Sequence, residues 1–214
     1  MILFNKNSID YYQSMKRFWL FIKPVCPIIP ELFSNYRERL IGRVLKEIAY
    51  GEITLDESIF LGKIIRDLKV PGPIIEIGTL FGRSTLVITA NKTPEKKLIT
   101  VDNYSWNPLG LSPGMHYQIT NNILSEAVKK FSLQIFKINK NDFYSTYKGE
   151  SPSLVFLDAI HNYSETKADI VWAKRVNAHL ICGHDYNEQK HPAVVKAVKE
   201  FGGPQKLFGS IWVL

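Results

Sequence analysis

From Ile74 onward, short and continuously apolar runs alternate with longer stretches in which apolar residues recur at every third or fourth position. The runs fall at 74–77, 98–101, 133–138, 154–157 and 180–182. Such short runs bounded by polar residues predict strands buried on both faces. The intervening stretches, at 84–90, 114–130, 142–147, 164–176 and 192–201, predict helices. Strictly alternating β and α elements predict a parallel sheet covered on two sides. The tail differs, because 205–208 and 210–213 are separated only by Gly209. A connection that tight leaves no room for a crossover helix and predicts an antiparallel pair, with Trp212 near the edge of the sheet. The fold class expected is therefore α/β, with five parallel strands and a terminal hairpin.

Ahead of this region the pattern is helical. Leu32, Phe33, Tyr36, Leu40, Ile41, Val44, Leu45 and Ile48 form an approximate i, i+3/i+4 stripe over 31–50. A further helix is expected after Thr54, where Thr54-x-x-Glu57 has the capping-box pattern before Ile59, Phe60, Leu61, Ile64, Ile65 and Leu68. Pro71-Gly72-Pro73 then stops regular structure. The chain thus divides into an N-terminal helical and apolar extension, 1–54, and a main domain, 55–214. Within the extension, the apolar run from Phe18 to Ile29 is interrupted by Lys23, Pro24 and Pro27. It falls well short of the roughly 20 apolar residues a spanning helix needs. No transmembrane segment or signal peptide is expected. The run is read as an arm that packs on the core or on a second copy in a homodimer, with membrane-surface contact as the alternative.

Composition and charge narrow the class. The chain has 214 residues, 45% of them hydrophobic and 22% charged, which excludes disordered, collagen-like and coiled-coil proteins. The net charge is +7, and residues 1–50 hold 8 Lys/Arg against 4 Asp/Glu, so over half of the excess precedes the main domain. No run of five like charges occurs, and no nucleic-acid-binding motif accompanies the charge, so no nucleic-acid partner is expected. Cys26 and Cys182 lie far apart without metal-type spacing. This suits a reducing compartment and a cytoplasmic protein.

In open α/β sheets ligands bind beyond the carboxyl ends of the strands, so the strand ends carry the candidate chemistry. The first ends as Glu76-Ile-Gly78-Thr79-Leu-Phe-Gly82-Arg-Ser84. The glycines and the amides that open the next helix make a cradle for a ligand. This is not the dinucleotide fingerprint, since Leu stands at position 80. The second strand ends at Asp102, an acid placed to accept hydrogen bonds from a ribose diol. The fourth runs into Asp158-Ala-Ile-His161-Asn-Tyr163 and the fifth into Gly183-His184-Asp185-Tyr186. Two neighbouring tips thus offer two carboxylates and two imidazoles, a set able to hold a divalent cation or to supply a general base. The loop 103–123, with Trp106, Met115, His116 and Tyr117, is expected to close over a small-molecule acceptor.

From about residue 55 to 214 these features together resemble a class I methyltransferase that uses S-adenosyl-L-methionine (SAM). Within that class the chain is similar to small-molecule O-methyltransferases of the macrocin type and the related cephalosporin-hydroxylase-like proteins. The resemblance rests on Glu76-x-Gly78-x-x-x-Gly82-x-Ser84, the Asp102 tip, Leu157-Asp158-x-x-His161-x-Tyr163, Gly183-His184-Asp185-Tyr186 and Gly209-Ser-Ile-Trp212. It implies a Rossmann-like, seven-stranded, mostly parallel sheet and SAM-dependent methyl transfer to a hydroxyl oxygen. It also implies cofactor binding by Glu76, Gly78, Thr79, Gly82, Ser84, Asp102 and Asp158. Asp158, His184 and Asp185 would bind a divalent metal, with His161 as base beside Asp158. The His at 184 stands where a carboxylate or its equivalent is usual, and magnesium prefers oxygen ligands, so a softer ion or none is the alternative. A catalytically silent or hydroxylase-like SAM-binding protein of the same fold is the competing reading.

Overall fold

The computed structural model describes residues 50–214. The expected helix over 31–50 lies, apart from Tyr50, outside the described residues, as do the apolar run 18–29 and Cys26.

The first described helix, α1 (Leu55–Asp67), opens with the expected capping box. The Thr54 side chain accepts from the Glu57 amide at 3.2 Å, and Glu57 Oε2 accepts from the Thr54 amide at 2.8 Å. After the Pro-Gly-Pro stop the chain alternates as predicted. The order is β1 (Ile74–Ile77), α2 (Arg83–Asn91), β2 (Leu98–Asp102), α3 (Pro113–Lys130), β3 (Leu133–Lys137), α4 (Lys140–Thr146) and β4 (Leu154–Leu157). It continues with α5 (Tyr163–Arg175), β5 (Ile181–Gly183), α6 (Pro192–Glu200), β6 (Lys206–Phe208) and β7 (Ile211–Val213).

The seven strands form one sheet in the order β3-β2-β1-β4-β5-β7-β6. The pairs among β1 to β5 are parallel, while β7 runs antiparallel to both β5 and β6. The strand order reverses between β1 and β4, which makes that junction the topological switch point where such sheets bind ligands.

Period-2 alternation sorts the strand side chains onto two faces. Ile74, Leu98, Leu133, Leu154, Phe156 and Ile211 pack with Leu61, Ile65, Val87, Ile88 and Leu124 from α1, α2 and α3. Ile75, Ile77, Val101, Val155, Leu157 and Trp212 pack with Phe143, Ile170, Trp172, Val194 and Val198 from α4, α5 and α6. One strand departs from the expectation of burial on both faces. In β3 only Leu133 is buried, because it is an edge strand with a neighbour on one side; β6, at the other edge, is exposed throughout. Trp212 lies near the edge, as expected. It sits one strand in, fully buried, with its indole N–H donating to the His184 carbonyl at 2.9 Å.

Candidate active site

The turn after β1 is shaped by how closely its backbone meets β4. Gly78 adopts φ +99°, and its amide donates to the Val101 carbonyl at 2.9 Å. A Cβ at Gly78 would lie 2.0 Å from the Asp158 carbonyl oxygen. A Cβ at Gly82, itself at φ +88°, would meet the Leu124 side chain at 2.8 Å. The sequence reading ascribed both glycines to a ligand cradle; the atoms that exclude a side chain there belong to the protein. Between them Leu80 takes φ +49°, costly for a bulky residue and held only when its surroundings fix it. Here the Leu80 carbonyl accepts from Thr120 Oγ1 at 2.8 Å and lies 3.0 Å from His116 Nε2.

Asp102 stitches this turn to β2. Its Oδ2 accepts the amides of Thr79 at 2.9 Å and Leu80 at 3.0 Å, and its Oδ1 accepts the Tyr104 amide at 2.7 Å. A carboxylate has about four lone-pair sites, two on each oxygen, so Oδ2 is filled by its two amides and Oδ1 keeps capacity for one hydroxyl donor. Glu76 is fully buried, with Oε2 accepting from Thr85 Oγ1 at 2.5 Å and Thr100 Oγ1 at 2.7 Å. Its Oε1 is buried with no hydrogen-bond partner. Burial pushes the Glu76 carboxyl up to about 7, against the pull of the hydroxyl donors around it. Thr79 Oγ1 is 2.6 Å from Thr100 Oγ1, and Ser84 is buried in the first turn of α2.

Across the switch point the tips of β4 and β5 carry charge. His161 Nε2 lies 3.0 Å from Asp185 Oδ2 and 3.7 Å from Asp158 Oδ1. His184 Nδ1 lies 3.4 Å from Asp185 Oδ2 and 3.9 Å from Asp158 Oδ1. The four residues singled out from the sequence therefore converge. Burial would lower both imidazoles, but the carboxylates outweigh it, raising His161 to about 10 and His184 to about 11. Asp185 is held far below the usual carboxylate range: burial raises it, but its hydrogen bonds to the two imidazoles and their charge dominate.

Two members of this cluster escaped the sequence reading. Glu57, assigned only to the capping box, has Oε2 3.4 Å from His184 Nε2, while its Oε1 accepts the Ser210 amide at 2.6 Å. Burial raises its carboxyl, yet the bonds from His184, Ser210 and Thr54 together bring it down to about 2. His191 Nε2 lies 3.4 Å from Asp185 Oδ1, and its ring centroid is 4.7 Å from that of His161. In the sequence it stands just before the helix expected over 192–201 and belongs to no candidate site. Its six-residue spacing from Asp185 was the one available signal, and a fixed turn was needed to make that spacing meaningful.

The loop after β2 divides. Trp106 and Met115 are exposed, while His116 is fully buried against Phe81 and Tyr104, with ring centroids 4.4 and 5.1 Å away. His116 thus anchors the loop to the glycine turn rather than facing the open crevice.

No family model matches the chain, and no curated protein matches it. Solved structures do. An O-methyltransferase from Bacillus cereus in complex with SAH aligns with a TM-score of 0.58 at 15% identity, over 91% of this chain and 93% of that one. The O-methyltransferase TomG from Streptomyces achromogenes, involved in tomaymycin synthesis and in complex with SAM, gives 0.54 at 18% identity, over 94% and 86%. CalS11, a TDP-rhamnose 3'-O-methyltransferase in calicheamicin biosynthesis, gives 0.57 at 15% identity, over 100% and 96%. The chain shares the fold of these enzymes: a seven-stranded, mostly parallel sheet with an antiparallel C-terminal pair. Among the described residues no helix is long and apolar enough to cross a membrane.

Proposed function

We propose that this protein transfers the methyl group of SAM to a hydroxyl oxygen of a small-molecule acceptor. The observation that carries the reading is the placement of two dissimilar sites on either side of one switch point. A glycine turn with its paired acid lies at β1 and β2, and a carboxylate–imidazole cluster lies at β4 and β5. The fold shared with a SAM-bound and a SAH-bound O-methyltransferase supports it.

The residues of the first site suit the cofactor. The unpartnered Oε1 of Glu76 is an acceptor left for a donor such as an amino group. Asp102, with one lone pair to spare on Oδ1, accepts a ribose hydroxyl while its amide bonds hold the Thr79–Leu80 backbone in place. Gly78, Gly82 and Ser84 set the course of the chain around the methionine side. SAM supplies an activated methyl, so the protein's own work is alignment, exclusion of water and proton removal.

That work falls to the second site. The side chain of Asp158 is about a quarter exposed, the most open to acceptor of its two carboxylates. With His161 held positively charged by its neighbours, the two act as a pair. The Asp158 carboxylate receives the hydroxyl proton, and the imidazolium offsets negative charge building on the oxygen. A divalent cation on Asp158, His184 and Asp185 would act on the same oxygen, and their ligand atoms lie within 4.8 Å of one another.

Calorimetric titration of the full chain tests the reading. Saturable binding of SAM or SAH is expected, weakened at least about tenfold by Asp102→Ala, equal to about 1.4 kcal/mol. Tight binding of NAD with no response to SAM or SAH overturns it.

A further inference from the structure

We propose that His161, Asp185 and His191 form a three-ligand site for a first-row transition-metal ion of the Zn²⁺ or Co²⁺ kind. The set is distinct from the Asp158–His184–Asp185 group, with which it shares only Asp185. Its use in handling the acceptor hydroxyl rests on the methyl-transfer reading, whereas the ion site itself does not.

The three side chains come from three turns on one edge of the crevice. His161 lies between β4 and α5, Asp185 follows β5, and His191 heads α6. His161 Nε2 and His191 Nε2 approach opposite oxygens of the one carboxylate, at 3.0 Å from Oδ2 and 3.4 Å from Oδ1. Donors bound at about 2.0–2.1 Å from a common ion lie roughly 3.0–3.4 Å apart in octahedral or tetrahedral arrangements. The two imidazole–carboxylate separations fall in that range, each to a different oxygen, as for a carboxylate that binds through both, and one donor atom from each residue lies within 4.8 Å of the others.

The backbone aims these groups at one another. Asp185 occupies the left-handed region at φ +62°, a conformation that costs about 1–3 kcal/mol and persists where the surroundings impose it. Here the Tyr186 amide is bonded to the Ser210 carbonyl at 3.0 Å, and the Asn187 amide to the Asp185 carbonyl at 2.8 Å. His191 stands at the N-cap of α6 but makes no side-chain cap bond, so its ring is free to meet Asp185. His161 Nε2 is buried and meets the Asp185 carboxylate at 3.0 Å. Only the neutral imidazole is a ligand, so an ion bound there takes the place of the proton that His161 otherwise carries.

The donor chemistry selects the ion. Two imidazoles and one carboxylate suit zinc, iron, cobalt or nickel, whereas magnesium takes oxygen ligands. Three protein ligands leave a position for water or an acceptor oxygen, the pattern of catalytic rather than structural sites. His184 presents its Nδ1 to the same carboxylate, 3.4 Å from Oδ2 and 3.9 Å from Asp158 Oδ1, while its Nε2 faces Glu57, so it belongs to the neighbouring Asp158 group. Asp158 stays outside the set, 3.7 Å from His161, free to accept a proton from a hydroxyl that the ion has acidified.

The test uses full-length protein stripped with chelator and titrated with Co²⁺ under visible absorption, with Zn²⁺ and Mg²⁺ as competitors. One equivalent should bind with the intense d–d bands of a four- or five-coordinate site. Zn²⁺ should displace Co²⁺, and millimolar Mg²⁺ should not. His191→Ala should weaken Co²⁺ binding by at least about 100-fold, since even partners outside the ligand set are worth 10–100-fold. Asp158→Asn should change it only a few-fold. X-ray absorption of the wild-type zinc form, showing two imidazoles, provides a readout that needs no variant. No saturable Co²⁺ binding by wild type overturns the site, as does binding lost in Asp158→Asn but intact in His191→Ala. SAM calorimetry on the same samples separates the two ideas. Co²⁺ bound without SAM removes the methyltransferase reading alone, and SAM bound without Co²⁺ removes the metal site alone.

Discussion

At the tips of β1 and β2 the carboxylates are held by neutral donors, while at the tips of β4 and β5 they are held by imidazoles. Asp102 takes three backbone amides and Glu76 two threonine hydroxyls. Asp185, by contrast, lies within 3.4 Å of three different histidine rings, and Glu57 lies as close to a fourth contact of the same kind on His184. A site braced by amides keeps its shape whatever the charge of its occupant. A site braced by ionic contacts depends on how many protons or cations it holds. The first suits a large cofactor bound the same way in every cycle, and the second suits a group whose charge changes during reaction.

The largest expected effect breaks both sites together. Gly78→Val places a side chain against the Asp158 carbonyl, 2.0 Å from where its Cβ would sit, at a φ that valine does not tolerate. A loss on the order of 4 kcal/mol or more is expected. Urea denaturation should show it, together with loss of SAM binding. His161→Ala should separate the two sites. Turnover falls by roughly 10²–10³-fold, the usual cost of removing one group that stabilises developing negative charge, while SAM affinity in calorimetry stays near wild type. Wild-type turnover in this variant would remove His161 from the chemistry.

Glu76 sharpens the comparison, because it is the carboxylate at the β1 and β2 end whose environment is set chiefly by burial. Its folded pKa of about 7 stands above the ordinary 4.5, so the folded state binds the extra proton between those values. Stability from this group is therefore present below pH 4.5 and declines as pH rises to about 7, by on the order of 3 kcal/mol. Comparing wild type with Glu76→Gln in urea melts at pH 5 and pH 8 should show the variant relatively more stable at the higher pH. The smallest effect is expected from Asp102→Asn. It keeps the shape but weakens acceptance of three amides, for about 1–2 kcal/mol of stability with the fold intact.

The elements of the sheet were legible because each strand is a short apolar run and each helix a periodic one. The departure fell where burial depends on neighbours: β3 lies at an edge of the sheet and keeps only Leu133 buried. Asp158, His161, His184 and Asp185 could be grouped because parallel order puts all strand tips at one end. Glu57 and His191 could not. One arrives from a helix some 20 residues before the first strand, and the other through a turn whose course is set by an Asp185 backbone angle that no residue type dictates. The positive φ of Gly78 is legible in the sequence, but its closeness to the Asp158 carbonyl is not, since a glycine in sequence does not say which atom comes close.

The insertion of β7 between β5 and β6 has a bearing on the order in which the molecule can assemble. The five parallel strands can pair as they leave the ribosome, but the outer side of β5 stays open until residues 211–213 have emerged. Residues 210–212 deliver the Ser210 amide to Glu57 and the Trp212 indole to the His184 carbonyl. The ionic half of the crevice is thus completed last, after the glycine turn.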